Sequence, residues 1–432
     1  MVNKIKEILK TVENDGWFIE DIKTESVELF FIKKELDMNR GKKVNHISVT
    51  IYRDTTVGDQ KFRGSSKTKI SPTMDDKEIK EALDVASLAA SFVKNEYYEL
   101  VEPSEEKPSE LVTRFNSEIS EFIPSLVDAV YKEDKYDNGR INSCEFFVSK
   151  HDIRRVNSKG VDISYIKYNG MIELVAEWLE GAEEIELYKM LKFSDFDPES
   201  ISESVRDMLK EARERAIAKP LPKLEELPVI FTKDAVKSFF SYYVMRTYAQ
   251  YKYEGYFSNE VGVNLQGEDI VGDKISISLD PMLPNSTHSS PYDNDGFLLK
   301  ETEVIKDGVI TNMVASKRYA DYLDMKPTGR IGNIIAKAGN TPISEMKKDP
   351  YLELFEFSDF QTNPLTGDFG GEIRLGRYFD GENIIPISGG SITGNLKNIE
   401  KNMIFSKETQ QLNDFVGPKF VRIDNYSLTS AK

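Results

Sequence analysis

The feature that most constrains the fold is a series of strand-like runs between about residues 142 and 192. CEFFVSK, HDIRRV, VDISYIKY, MIELVAEWLE and EEIELYKML follow one another with little between them. Alternation of period two puts a strand's apolar side chains on one face. The runs are separated by NSKG at residues 157–160, YNG at 168–170 and then EGAEE. Asn-Gly is the two-residue turn whose backbone twist matches antiparallel strands. The spacing therefore predicts an antiparallel meander over residues 142–192.

Helices and further strands surround it. Ile5, Ile8, Leu9 and Val12 recur at helical spacing near the start, and residues 26–33 and 46–53 read as strands. A helix capped by Asp75 or Asp76 keeps Ile79, Leu83, Ala86, Ala90 and Val93 on one face. A second helix is expected over residues 109–133, broken at Pro124, and a third over 198–218. KPLPKLEELP, residues 219–228, is a proline-spaced connector. Beyond it come a long helix over residues 236–255 and more hairpins, with turns at KDG (306–308) and FDGEN (379–383). The fold class is α+β, in two intertwined portions. Residues 1–218 form an α/β portion holding the meander, and residues 229–432 form a portion rich in antiparallel strands.

Charge and composition remove several function classes. The formal charge is −16, and no basic stripe accompanies pairs such as Lys42-Lys43, so direct nucleic-acid binding is disfavoured. A single cysteine, Cys144, leaves no intrachain disulfide framework and fits a reducing compartment. Charges interrupt the first apolar positions, unlike a signal peptide, and no run of about 18 apolar residues is present. A soluble cytoplasmic protein with no membrane partner is the expectation.

Catalytic signatures are sparse. The histidines are His46, His151 and His288, and no HExxH or HExxxH occurs. A zinc hydrolase needs about three His, Glu or Cys ligands and an open position for water. On the helix over 236–255, Val236, Phe239, Phe240, Tyr243, Val244, Tyr248 and Tyr251 form one apolar face. Ser238, Tyr242, Arg246 and Lys252 lie elsewhere, and none binds zinc well. The helix is either plain core or a core helix that also lines a cleft. Cys144 sits in a strand-like run, as small buried thiols often do. GGSITG lacks the second glycine of a GxSxG elbow and reads as a turn leading to a helix capped near Asn395. In PYDNDG, Asp293 and Asp295 make either an Asx turn or a loop facing the cleft. TGDFGG carries the same two readings, with Thr366 and Asp368 fixing the turn and Phe369 beside them. No phosphate-loop Lys-Ser/Thr follows the glycines.

Several stretches, taken in order, resemble the TldD/PmbA family, once called modulators of DNA gyrase. They are residues 290–323, 363–382 (NPLTGDFGGEIRLGRYFDGE), 386–399 (PISGGSITGNLKNI) and 416–430, preceded by FRGSSKTKI, DVASLAASF and RRVNSKGVDISYI. The resemblance implies an α/β N-terminal portion, a strand-rich C-terminal portion and dimers. It also implies two branches. One is a zinc metalloprotease with an HExxxH helix and a cysteine near the C-terminus. The other, PmbA- or TldE-like, lacks those ligands and pairs with the first to act on small or unfolded polypeptides. This chain resembles the second branch. The implied partner is a TldD-like subunit carrying zinc, or a second copy of this chain. No cofactor is expected in the chain itself. The residues expected to contact peptide or partner are Tyr242, Arg246, Asp293, Asp295, Thr366, Asp368, Phe369 and Asn395. An active metallopeptidase with another ligand set, such as His151, His288 and a carboxylate, stays open, as does a homodimeric scaffold.

Overall fold

Alternation decides the architecture of the first half. The computed structural model describes residues 1–180, 183–222 and 226–427. Seven strands form one antiparallel sheet: β1 (Gly16–Ile32), β2 (Glu35–Val57), β3 (Gln60–Ile70), β4 (Asn95–Glu96), β5 (Gly139–Asn157), β6 (Asp162–Glu180) and β7 (Glu183–Phe193). Their order is β4-β3-β2-β1-β5-β6-β7. Helices α1 (Val2–Leu9) and α2 (Asp76–Ser91) bury Ile19, Ile47, Val49 and Ile51 beneath Ile5, Leu9, Ile79 and Leu83. Helices α3 (Ile119–Tyr131) and α4 (Pro198–Ala216) cover Cys144, Phe146, Val148, Ile172 and Leu174 on the same face. The strand register then sends Glu20, Ile22 and Thr24 of β1, His151, Ile153 and Arg155 of β5, and Tyr165 and Lys167 of β6 to the opposite face.

The meander exists, with two corrections. CEFFVSK and HDIRRV are one strand, β5, and YNG is not a turn: residues 168–170 run through the middle of β6. Gly170 pairs with Phe193 across β7, and a Cβ built there would lie 2.1 Å from the Phe193 ring. The glycine is there to admit an aromatic ring, so its turn-like sequence misleads. NSKG does turn the chain, with Asn157 Oδ1 accepting from the amides of Lys159 and Val161. Part of the EGAEE turn, residues 181–182, lies outside the described residues.

Two helices also differ from expectation. Residues 109–118 are not helical, and α3 runs through Pro124 unbroken. A helix-interior proline costs about 3 kcal/mol. The burial of Ile119, Ile123, Leu126, Ala129 and Val130 outweighs it, since a fully buried aliphatic contributes about 1.5–3 kcal/mol. The long helix over 236–255 is two pieces, α5 (Asp234–Met245) and α6 (Ala249–Tyr253). Val314 interrupts it: its amide donates to the Thr247 carbonyl at 2.8 Å, and its carbonyl accepts from Ala249 N–H at 2.9 Å. Asp75 caps α2 with a full capping box, as expected.

The second half holds two further sheets of six and eight strands, and α5 lies in their shared core. Val236, Phe239, Phe240 and Tyr243 of α5 pack among Phe231, Leu354, Phe369, Ile277 and Phe415. The KDG turn has positive φ at both Asp307 and Gly308, the type I′ signature. A strand, Ser391–Asn395, intervenes between the Gly389-Gly390 turn and the short helix Leu396–Ile399, whose cap is Asn395. Residues 223–225 of the expected connector lie outside the described residues. Its flanks are strands: Lys219–Pro220 pairs with Ile387 and Ser388, and Glu226–Thr232 pairs with the strand Tyr351–Thr362. Ion pairs tie α4 to the second half, Arg377 with Glu214 at 2.9 Å and Lys233 with Glu211 at 2.7 Å and Glu356 at 2.5 Å.

Replacing Gly170 by Val should destabilise the protein by about 1–3 kcal/mol, because the new methyls overpack Phe193. Thermal denaturation of G170V, F193A and the double variant checks this; the double variant should lose less than the sum of the two single losses.

Candidate functional site

The polar edge of α5 faces the hairpin loop that joins the strands Tyr351–Thr362 and Asp368–Phe379. Ser238 Oγ donates to Thr362 Oγ1 at 2.8 Å. One turn on, the buried Tyr242 ring lies under Gly367, whose φ of +82° and 2.9 Å Cβ clearance exclude a side chain. One turn further, Arg246 donates from Nη1 to the Pro364 carbonyl and from Nη2 to the Leu365 carbonyl, each at 3.1 Å. A third bond reaches the Tyr242 carbonyl at 2.9 Å. The guanidinium carbon sits 3.4 Å from the Tyr242 ring centroid and 4.9 Å from that of Phe257. Hydrogen bonds to a charged group contribute about 1.5–3 kcal/mol each, and a desolvated cation–π contact about 2. Arg246 is therefore the clamp that shapes this loop.

Beside it, Thr366, Asp368 and Asn395 interlock. Thr366 Oγ1 donates to Asp368 Oδ2 at 2.6 Å, and Asn395 Nδ2 to Asp368 Oδ1 at 2.7 Å. These bonds hold the Asp368 pKa below the usual carboxylate range. Phe369 is buried against Phe239 and Phe231 and belongs to the core. Tyr243, on the opposite side of α5, donates its hydroxyl to buried Glu400 at 2.8 Å.

Asp293 and Asp295 lie elsewhere, against the polar face of the seven-stranded sheet. Asp293 Oδ1 accepts from the amides of Asp295 and Phe297, each at 2.9 Å, so the Asx turn is real. Its Oδ2 is buried with no partner among the described residues. Burial first, and then the neighbouring Asp295, pushes the Asp293 pKa up to about 7. Arg155 fastens this loop to the sheet. It donates to Glu20 at 3.0 Å, to the Tyr165 hydroxyl at 2.9 Å, and to the Asp293 carbonyl and Asn294 Oδ1 at 3.3 Å each. Asp295 lines a small cleft with Tyr52, Tyr98, Lys317 and Arg318. Arg318 spans the two halves, donating to Asn95 Oδ1 at 3.1 Å and to the Tyr322 hydroxyl at 3.0 Å.

Six of the eight expected residues thus gather around α5, and two lie in a separate loop. The sequence reading missed Arg155 and Arg318. Arg155 could have been found from parity, since alternation along HDIRRV places it with His151 and Ile153, while Arg154 pairs with Asp162. Arg318 carried no such signal. Among the dispersed ligand types, His151 has both ring nitrogens engaged, by Thr24 at 3.0 Å and Ser149 at 2.9 Å. His288 faces Asp414, which also pairs with Lys237 at 2.6 Å. Burial pushes the Cys144 thiol pKa far up, which keeps it protonated and a poor nucleophile.

The fold is that of an α+β protein with a strand-rich C-terminal part. Residues 224–430 match the family model described as the PmbA/TldA metallopeptidase C-terminal domain. The chain is 27% identical over 171 residues to an uncharacterized protein of Methanocaldococcus jannaschii, covering 36% of this chain and 40% of that protein. It is 29% identical over 144 residues to the metalloprotease PmbA of Escherichia coli O157:H7, covering 32% of each. The match thus spans well under two thirds of these relatives' length. The crystal structure of TldE from Thermococcus kodakarensis shares the fold, with a TM-score of 0.80 at 18% identity over 99% of both chains. Just under half of the chain, residues 224–430, is thus similar to the TldD/PmbA family, and the whole chain shares the TldE fold.

Arg246→Met should lower stability by about 2–4 kcal/mol, because it strips the Tyr242, Pro364 and Leu365 carbonyls of a charged donor and removes the cation–π contact with Tyr242. Calorimetry or denaturant melts will read this, and Arg246→Lys should recover little, lacking the planar fork. For Asp293 the native state holds a proton that the unfolded chain releases near pH 4. The stability carried by the protonated form is complete below that pH and is lost as pH rises through about 7. Asp293→Asn should therefore raise the melting temperature more at pH 8 than at pH 5.

Proposed function

We propose that this chain is a non-catalytic subunit of a TldD/PmbA-type metallopeptidase, holding small or unfolded polypeptides for a zinc-bearing TldD-like partner. One observation carries the reading. Where a zinc helix would present His and Glu, α5 presents Ser238, Tyr242 and Arg246, and the guanidinium already occupies the adjoining carbonyls. A cation in that position repels a dication, and none of the three is a good zinc donor. Among the described residues, no three His, Cys, Asp or Glu side chains are grouped to hold a metal. These residues do not fit zinc, and no hydrolytic step follows from them.

Holding an extended peptide asks only for backbone partners and a polar wall. Strand β7 ends its sheet, and β3 pairs with β2 only over residues 47–57, so residues 35–46 keep one free backbone edge. The same sheet turns its polar face, with Glu20, Arg155 and Tyr165, toward the Asp293 loop. No helix among the described residues is long and apolar enough to cross a membrane. The relatives named metalloprotease and TldE lend support at the level of the family.

The test is reconstitution. Purified alone, the chain should hold less than about 0.1 zinc per molecule and cleave no unfolded peptide. Affinity capture from its native cell should bring down a homologue bearing HExxxH, and peptide cleavage should require both. Stoichiometric zinc with cleavage by this chain alone would establish the active-enzyme reading instead. Capture of this chain only, with no activity in any mixture, would establish the homodimeric scaffold.

A further inference from the structure

Lys167 is a physical anomaly. It projects from β6 on the polar face of the seven-stranded sheet, opposite His151. Burial and the nearby Arg155 guanidinium, both unfavourable to its charge, lower its pKa to about 8, and no carboxylate offsets them. An unpaired, largely buried ammonium is costly unless something compensates it. The structure puts a cavity of about 90 Å³ beside it, lined by Leu111, Val112, Leu283, Pro284 and Asn285 among others.

Asn285 adds a second donor. Its Oδ1 accepts from the amides of Ser194 and Asp195, each at 2.9 Å, which fixes the side-chain amide. The Nδ2 group has no partner among the described residues. Glu110, on the rim, is exposed and makes no ion pair with Lys167. The rest of the lining mixes apolar side chains with Tyr168, Ser194 and the hydroxyls of Thr113, Ser286 and Ser289, which already donate to the Ser194 carbonyl, Asn333 Oδ1 and the Leu283 carbonyl; Lys167 is the cation of the lining. A single carboxylate, with two oxygens and one charge, matches one ammonium and one amide donor.

We infer that Lys167 and Asn285 form a carboxylate-binding subsite that takes one carboxylate of a bound peptide, either its free C-terminus or an acidic side chain. The inference rests on the reading that this chain holds peptides, and it names the group by which a peptide is registered. The apolar walls suit the side chain next to that carboxylate.

Calorimetry on the full chain without any partner tests the subsite independently of the peptidase reading. Three probes serve: N-acetyl-Ala-Ala-Leu as the free acid, the same peptide as the C-terminal amide, and N-acetyl-Ala-Glu-Leu amide. The free acid or the Glu-containing amide should bind at least tenfold tighter than the plain amide, and whichever does identifies the source of the carboxylate. Lys167→Gln should abolish that preference, and Asn285→Asp, which keeps the fixed Oδ1 but replaces the donor with an anion, should reverse it. A bound acid should also slow acetylation of Lys167, read by mass spectrometry, without slowing that of exposed lysines. Equal binding of all three probes, binding of none at millimolar concentration, or a preference that survives in a folded Lys167→Gln protein would each overturn the inference. Failure of the chain to find a metallopeptidase partner would leave these readings unaffected.

Discussion

Helix α5 is held on its whole circumference, and the rest of the second half is arranged around that fact. Its apolar side fills the space between two sheets, where Phe239, Phe240 and Tyr243 meet side chains from both. Its polar edge is locked by Arg246 to the carbonyls of Pro364 and Leu365. A buried guanidinium is tolerated only when its donors are satisfied, so the hairpin loop must sit where it does. That loop in turn sets the positions of Thr366, Asp368 and Asn395. The same arginine that gives the loop its shape also takes up the edge of α5 that a metal would need.

The N-terminal sheet supplies a different constraint. Four helices cover one face, which leaves a broad polar face to meet the second half of the chain. Arg155 and Arg318 bond across that junction, each reaching from one half to loops or side chains of the other. Small clefts remain along this junction, unlike the close-packed core around α5. Lys167 and the unpaired Asp293 oxygen both lie on this junction. Buried charge without a partner tends to accumulate where a protein binds something.

Much of the site was legible as residue types and little as geometry. Asp75, Asn395 and the KDG turn acted as their local chemistry said, because caps and tight turns are decided within four residues. YNG failed for the opposite reason: what fixes Gly170 is the Phe193 ring, far along the chain. The long helix broke because Val314, distant in sequence, supplied hydrogen bonds that a helix would have kept to itself. Asp293 and Asp295 were singled out correctly as an Asx turn, but nothing local told that Arg155 would anchor their loop to a sheet.

By itself the sequence determined the α+β class, the antiparallel run of strands, the absence of an HExxxH and the family to which the chain is related. These are properties of period, composition and motif, and they need no partner in space. Tertiary structure alone decided which residues share a site: that Arg246 caps the hairpin loop, that Arg155 bolts down the Asp293 loop, and that Lys167 meets a cavity rather than a counter-ion. Strand pairing and helix packing bring together side chains separated by more than a hundred positions, as with Arg155 and Asp293. Short-range propensity carries no information about such meetings, because the energy that fixes them comes from burial and hydrogen bonding between distant segments.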